Sequence, residues 1–149
     1  MIARIRKSMD EKDRGFTLIE LLVVMINIGI LAAIAIPIFM NQRRKAVDSS
    51  AISDVSTLGK EIATYYVDAT TVLAAADVSA AAGGNLVVVN PVGNASANTT
   101  GAVLTYPGAA GSATPGAAAT TWCVTLAYTG GTRANAWYSA ENGLSTTSC

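Results

Sequence analysis

Residues 16–40 read FTLIELLVVMINIGILAAIAIPIFM, and Glu20 carries the only charge among them. A bilayer core needs about 20 apolar helical residues, so this run is long enough to span one as a helix. Upstream lie Arg4, Arg6, Lys7, Lys12 and Arg14, set against Asp10, Glu11 and Asp13. The positive-inside rule applied to Arg4, Arg6 and Lys7 puts the N-terminus in the cytoplasm and everything beyond residue 45 outside, with Arg43, Arg44 and Lys45 pulling the other way. A secretory signal peptide would have a shorter apolar core closed by a small-residue cleavage site, and this run has neither feature.

The chain has 149 residues, and subtracting a membrane helix leaves enough for one small head. Ten basic and ten acidic residues cancel over the whole chain, but residues 1–15 hold five of the basic and three of the acidic ones. Residues 16–149 are therefore slightly acidic, which argues against a nucleic-acid surface built on clustered Lys and Arg. Histidine is absent, so the commonest general base and the commonest metal ligand are both missing. No phosphate-binding loop, nucleophile elbow or metal-ligand cluster appears, and neither a cofactor nor an enzymatic activity is expected. Cys123 and Cys149 form an even pair in the extracellular part, which favours a disulfide.

The string RGFTLIELLVV, Arg14 to Val24, resembles the type IV pilin signature, and GILAAIAIP, Gly29 to Pro37, is also similar to that family. The resemblance implies cleavage by a prepilin peptidase between Gly15 and Phe16, then N-methylation of Phe16. Physical chemistry gives Glu20 a matching role. A carboxylate in hydrocarbon costs about 2.5 to 3.5 kcal/mol on insertion scales, and no partner for it is expected within the helix. The resemblance implies that in the filament it meets the new α-amino group of a neighbouring subunit, which would favour correct axial register; the alternative is snorkelling to the interface. It also implies unwinding between Gly29 and Pro37, and Pro37 by itself is expected to kink the helix. Asn27 stands where the family usually has an aliphatic residue. It can bond across helices or back to its own helix.

Beyond Pro37, Ile52, Val55, Leu58 or Gly59, Ile62 and Tyr65 or Tyr66 recur at helical spacing, with Asp48, Asp54, Lys60 and Glu61 between them. This predicts one helix from Phe16 to about Asp68, roughly 80 Å long at 1.5 Å per residue. Gly59 is its weak point, and it would admit a closely packed strand. Arg43, Arg44 and Lys45 read either as contacts to anionic headgroups or an acidic neighbour, or as solvated flanking charge.

From Thr70 the composition turns to Ala, Gly, Thr, Ser and Asn, with four apolar stretches read as strands: Leu86 to Val89, Ala102 to Tyr106, Trp122 to Tyr128 and Ala134 to Ser139. Gly130-Gly131 predicts a hairpin pairing Thr121–Thr129 with Thr132–Ala140, and Asn142-Gly143 a second turn. Gly108 to Ala119 reads as a flexible loop. Trp122, Tyr128, Trp137 and Tyr138 read first as core, and otherwise as a stacking surface for a ligand such as carbohydrate. Asn94-Ala95-Ser96 and Asn98-Thr99-Thr100 fit the glycosylation sequon, which arises readily by chance in such a segment.

The expected fold class is α+β and pilin-like: a long N-terminal helix packed on a small antiparallel sheet. The expected organisation is a leader at 1–15, a transmembrane and filament-core helix at 16–40, its amphipathic continuation at 41–70, and a head at 71–149 with a disulfide-bounded C-terminal region. The function implied by the resemblance is a structural subunit of a type IV pilus serving adhesion, twitching motility or DNA uptake. A pseudopilin of a type II secretion or competence system is the alternative. The implied partners are prepilin peptidase, other copies of the chain, an inner-membrane assembly platform with a separate ATPase motor, and membrane lipid before assembly. The implied location is the cytoplasmic membrane, single-pass, and then the cell surface.

Overall fold

The computed structural model describes residues 15–107 and 114–149, so most of the leader and residues 108–113 of the expected loop lie outside it. The fold is α+β. Helix α1 runs Leu18–Tyr65, a short 3-10 turn covers Ala75–Asp77, and seven strands with one further helix come after it. The strands are β1 Val78–Ala80, β2 Asn85–Val88, β3 Asn90–Asn94, β4 Thr99–Thr105, β5 Cys123–Tyr128, β6 Asn135–Ser139 and β7 Gly143–Ser145, and helix α2, Pro115–Thr121, precedes β5. The chain divides into two compact units after Met40.

In the first unit the side chains of the apolar run are exposed, from Phe16 at 90 % through Leu31 at 68 % to Phe39 at 68 %. This segment is long and apolar enough to cross a membrane, and the helical assignment continues through Gly29 and Pro37. An amphipathic surface helix would hide one stripe; here every face is apolar and uncovered, as expected of a helix solvated by lipid or by other copies of itself.

In the second unit, α1 buries Ala51, Val55, Leu58, Gly59 and Ile62 on one face. This matches the stripe read from the periodicity at Val55, Leu58, Gly59 and Ile62, whereas Ala51 is buried in place of the expected Ile52, which like Tyr65 and Tyr66 is half-buried, and the helix ends at Tyr65 rather than near Asp68. Against that stripe stands the sheet β4-β5-β6-β7, antiparallel throughout. Strand side chains alternate between faces, and the register Leu104↔Val124↔Tyr138 with Ala102↔Leu126↔Ala136 puts these six residues on one face. Val124 and Leu126 are fully buried, as are Val55, Leu58 and Ile62. A second antiparallel sheet, β1-β2-β3, adds Val78, Leu86 and Val88 to the same core, and the two sheets abut where β1 meets β4.

All four expected strands are present, and the Gly130-Gly131 hairpin joins β5 to β6 with Cys123↔Ser139 through Ala127↔Asn135 paired. Gly130 has φ 82°, a conformation that glycine adopts without strain. Three short strands, β1, β3 and β7, went unread because each is three to five residues of small, polar or proline-containing sequence whose pairing comes from neighbours. β2 stops at Val88, since Val89 makes the tight turn to β3 with φ 61°, a strained conformation for a β-branched residue.

The expected loop Gly108–Ala119 is corrected in its second half. Thr114 caps α2 by accepting a 3.3 Å hydrogen bond from the Ala117 N–H, and Pro115 starts the helix where a missing N–H costs nothing. The alanine-rich composition read as loosely packed surface is helix-favouring once this cap is in place.

Candidate functional site

The candidate site is the start of α1. Gly15 and Phe16 precede the helix, and a Cβ built on Gly15 would meet nothing within 4 Å, so packing does not require glycine there. Thr17 is the residue before Leu18. Its backbone N–H donates to Glu20 Oε2 at 2.8 Å and its hydroxyl donates to the same oxygen at 2.7 Å, while the Glu20 N–H approaches Thr17 Oγ1 at 3.3 Å. This is the reciprocal capping box of a Thr-x-x-Glu start, which satisfies helix-end donors that would otherwise be bare.

The expectation that Glu20 has no partner within the helix is therefore overturned. Its carboxylate is engaged by Thr17, the residue sequence reasoning passed over. The signal is the Thr17 to Glu20 spacing itself, which reads as a capping box once the helix begins at Leu18 and not at Phe16. Glu20 still faces outward with the surrounding apolar side chains, so one carboxylate on an exposed apolar surface remains the distinguishing feature of the segment. Gly29 and Pro37 both lie within α1, and a Cβ at Gly29 would meet nothing within 4 Å.

In the second unit two aspartates placed among the polar positions of α1 prove to be buried, each 7 % exposed. Asp48 accepts hydrogen bonds from Tyr128 Oη at 2.9 Å, from the Thr132 N–H at 3.0 Å, from the Thr132 hydroxyl and from the Arg133 N–H at 3.4 Å. Burial is the largest single effect on this carboxyl and pushes its pKa up, but the hydrogen bonds from Thr132, Tyr128 and Arg133 together outweigh it and hold the pKa below the ordinary value. Asp54 accepts from the Ser96 N–H at 2.7 Å and the Thr99 hydroxyl at 3.0 Å. One carboxylate thus ties down the β5–β6 turn and the other the β3–β4 connection. The sequence signal for Asp48 was its place one step before Ala51, Val55, Leu58 and Ile62 on the buried stripe.

Beyond α1, the Tyr66 and Tyr106 hydroxyls lie 2.5 Å apart, Tyr106 donates to the Leu73 carbonyl at 2.8 Å, and the Leu73 N–H donates to Tyr66 at 3.2 Å. Burial, followed by the bond to Tyr66, raises the Tyr106 pKa. Trp122 and Tyr128 are core residues, 2 % and 3 % exposed, as the packing reading had them, while Trp137 and Tyr138 are half-buried. Trp122 stacks on Tyr138 with centroids 5.9 Å apart. The expected Cys123–Cys149 disulfide is present, with Cα atoms 6.2 Å apart. Arg43, Arg44 and Lys45 are exposed. Among the described residues no cluster of three or more potential metal ligands occurs.

Residues 11–36 match the family model described as the prokaryotic N-terminal methylation motif. The chain carries a prepilin-type methylation signal. It is also similar to curated proteins over part of its length. It is 37 % identical over 60 residues to type II secretion system core protein G of Dickeya chrysanthemi, covering 40 % of this chain and 39 % of that protein. To the protein of the same name from Escherichia coli K12 it is 40 % identical over 58 residues, covering 39 % of this chain and 40 % of that one. To a fimbrial protein of Pseudomonas aeruginosa it is 50 % identical over 46 residues, 31 % of this chain and 30 % of that one. The chain thus spans about two fifths or less of the curated relatives it matches, and no solved structure matches it significantly. The resemblance read from Arg14 to Val24 and Gly29 to Pro37 holds at the level of the methylation motif.

Proposed function

We propose that this chain is a filament subunit of the type IV pilus class, cut after Gly15, methylated on Phe16 and assembled through the apolar half of α1. The observation that carries the proposal is a fully exposed apolar helix whose single charge, Glu20, stands four residues after Phe16. An α-amino group created at Phe16 by cleavage is the complementary charge. Glu20 of one copy can exchange its Thr17 bonds for the α-amino group of the next, removing a carboxylate from hydrocarbon as the copies come into register. Gly15, which no packing contact requires, is read as the peptidase recognition residue. Gly29 and Pro37 provide the yielding part of the helix during packing.

The subunit sits first in the cytoplasmic membrane with its N-terminus inside, handled by a prepilin peptidase and by an assembly platform driven by a separate ATPase, and afterwards at the cell surface. A pseudopilus of a type II secretion system is the second reading, favoured by the similarity to core protein G; the fimbrial match favours a pilus. Intact mass of protein from sheared surface filaments tests both. A mass of Phe16 to Cys149 plus one methyl group and minus two hydrogens, in filaments, supports the pilus. The same mass found only in membranes supports the pseudopilus, and an uncleaved chain in cells containing the peptidase sinks the proposal.

A further inference from the structure

A groove of about 360 Å³ opens in the second unit between the end of α1 and the turn from β2 to β3. Glu61, Tyr65 and Asp68 line it from the helix side, and Val88 and Val89 from the sheet side. Val89 is 53 % exposed and both acids are exposed, and neither carboxylate makes a hydrogen bond or ion pair among the described residues. An apolar wall, an aromatic side chain and two carboxylates suit the side chain of Lys or Arg, whose stem packs on apolar surface while its charged head meets the counter-charge.

The chain itself supplies such a cation. Of its ten basic residues five lie in residues 1–15, and three of the other five form the exposed run Arg43, Arg44 and Lys45, which also makes no ion pair among the described residues. Within one copy this run cannot reach the groove. Lys45 precedes Glu61 by 16 positions, which is about 24 Å along α1 and about 160° round it. Two parallel copies of one helix meet through opposite sides, so a copy shifted by about 24 Å sets its Lys45 against the Glu61 of its neighbour. We propose that the groove beside Glu61 and Asp68 is the socket for Lys45, with Arg44 beside it, of a second copy. The offset is read wholly within residues 45–61, so it does not depend on whether the helix yields between Gly29 and Pro37. The contact rests on the assembly reading above. A helical stack surrounds each copy with neighbours at several heights, and the neighbour met here is distinct from the one met by Glu20.

Carbodiimide, which joins a lysine amine directly to a carboxylate, is applied to filaments and membranes of cells producing the full chain. Tandem mass spectrometry of the dimer band should find Lys45 coupled to Glu61 or Asp68. Arg44→Glu with Lys45→Glu should lower the yield of assembled chain several-fold, and Glu61→Lys with Asp68→Lys should do the same. The four changes together should restore most of it. A fourfold variant that assembles no better than either pair, or filaments whose crosslinked dimers never involve Lys45, overturns this contact alone. A cleaved wild-type chain that forms neither filament nor crosslinked dimer overturns the assembly reading with it.

Discussion

The carboxylate of Asp48 in α1 accepts a 2.9 Å hydrogen bond from the hydroxyl of Tyr128, 80 residues further along at the end of β5. The pair joins the helix to the four-stranded sheet, and the backbone N–H groups of Thr132 and Arg133 complete the set of donors around the carboxylate. A carboxylate so surrounded holds the turn after β5 against the helix, and both titrations should be visible in stability.

Because the Asp48 pKa is lowered by folding, its contribution is fully present above the ordinary carboxylate value of about 3.9 and is lost as pH falls below that toward the folded value. Asp48→Asn should lower stability at neutral pH by about 1–3 kcal/mol and flatten the acid limb below about pH 4. Thermal melts of the detergent-solubilised full chain between pH 2 and 7 provide the check. A parallel offset with an unchanged acid limb would contradict the assignment.

Tyr128 moves the other way. Burial first, then its bond to the Asp48 carboxylate, pushes its pKa up to about 12. Its contribution is present below the ordinary tyrosine value near 10 and is lost as pH rises from there through about 12. Spectrophotometric titration of the phenolates should show late-titrating groups, Tyr106 among them, and Tyr128→Phe should remove the one near 12.

Gly59 is occupied on its open side by Tyr138. A Cβ built there would lie 2.9 Å from the ring's Cε1 and closer still to Cδ1 and Cγ. Alanine gains about 1 kcal/mol in helix propensity, but overpacking costs typically about 1–3 kcal/mol. Gly59→Ala should therefore be destabilising overall and should disturb the Trp122–Tyr138 stack, visible in near-ultraviolet circular dichroism. Adding Tyr138→Leu should recover part of the loss, and simple additivity of the two changes would refute the collision.

The disulfide joins the first residue of β5 to Cys149, 26 positions later. Closing a loop of that length stabilises by about 3.5 kcal/mol on the chain-entropy model. Cys149→Ser should cost about 2–4 kcal/mol in guanidinium melts. In hydrogen exchange it should expose β7 before β5 and β6, since β7 pairs on one side only.

Reach of the sequence differed between the two ends of the chain. The membrane segment was legible from residues 16–40 alone, because a continuous apolar run of that length has one physical solution in a bilayer, and the glycine, phenylalanine and glutamate at its start form a local motif. The buried stripe Val55, Leu58 and Ile62 was legible for the same reason: helical periodicity is local. The β5–β6 hairpin was read from Gly130-Gly131 between two apolar stretches.

What tertiary structure alone decided is where the polar groups go. Asp48 and Asp54 read as solvent-facing until β5, the Thr132 turn and the Ser96–Thr99 segment supply donors that make burial tolerable. β1, β3 and β7 have too little intrinsic preference to be strands without partners beside them. The long apolar helix, the methylation motif and the hairpin are encoded by near neighbours in sequence. The acidic clamps and the second sheet exist only because folding places donors and strand edges from distant segments against them.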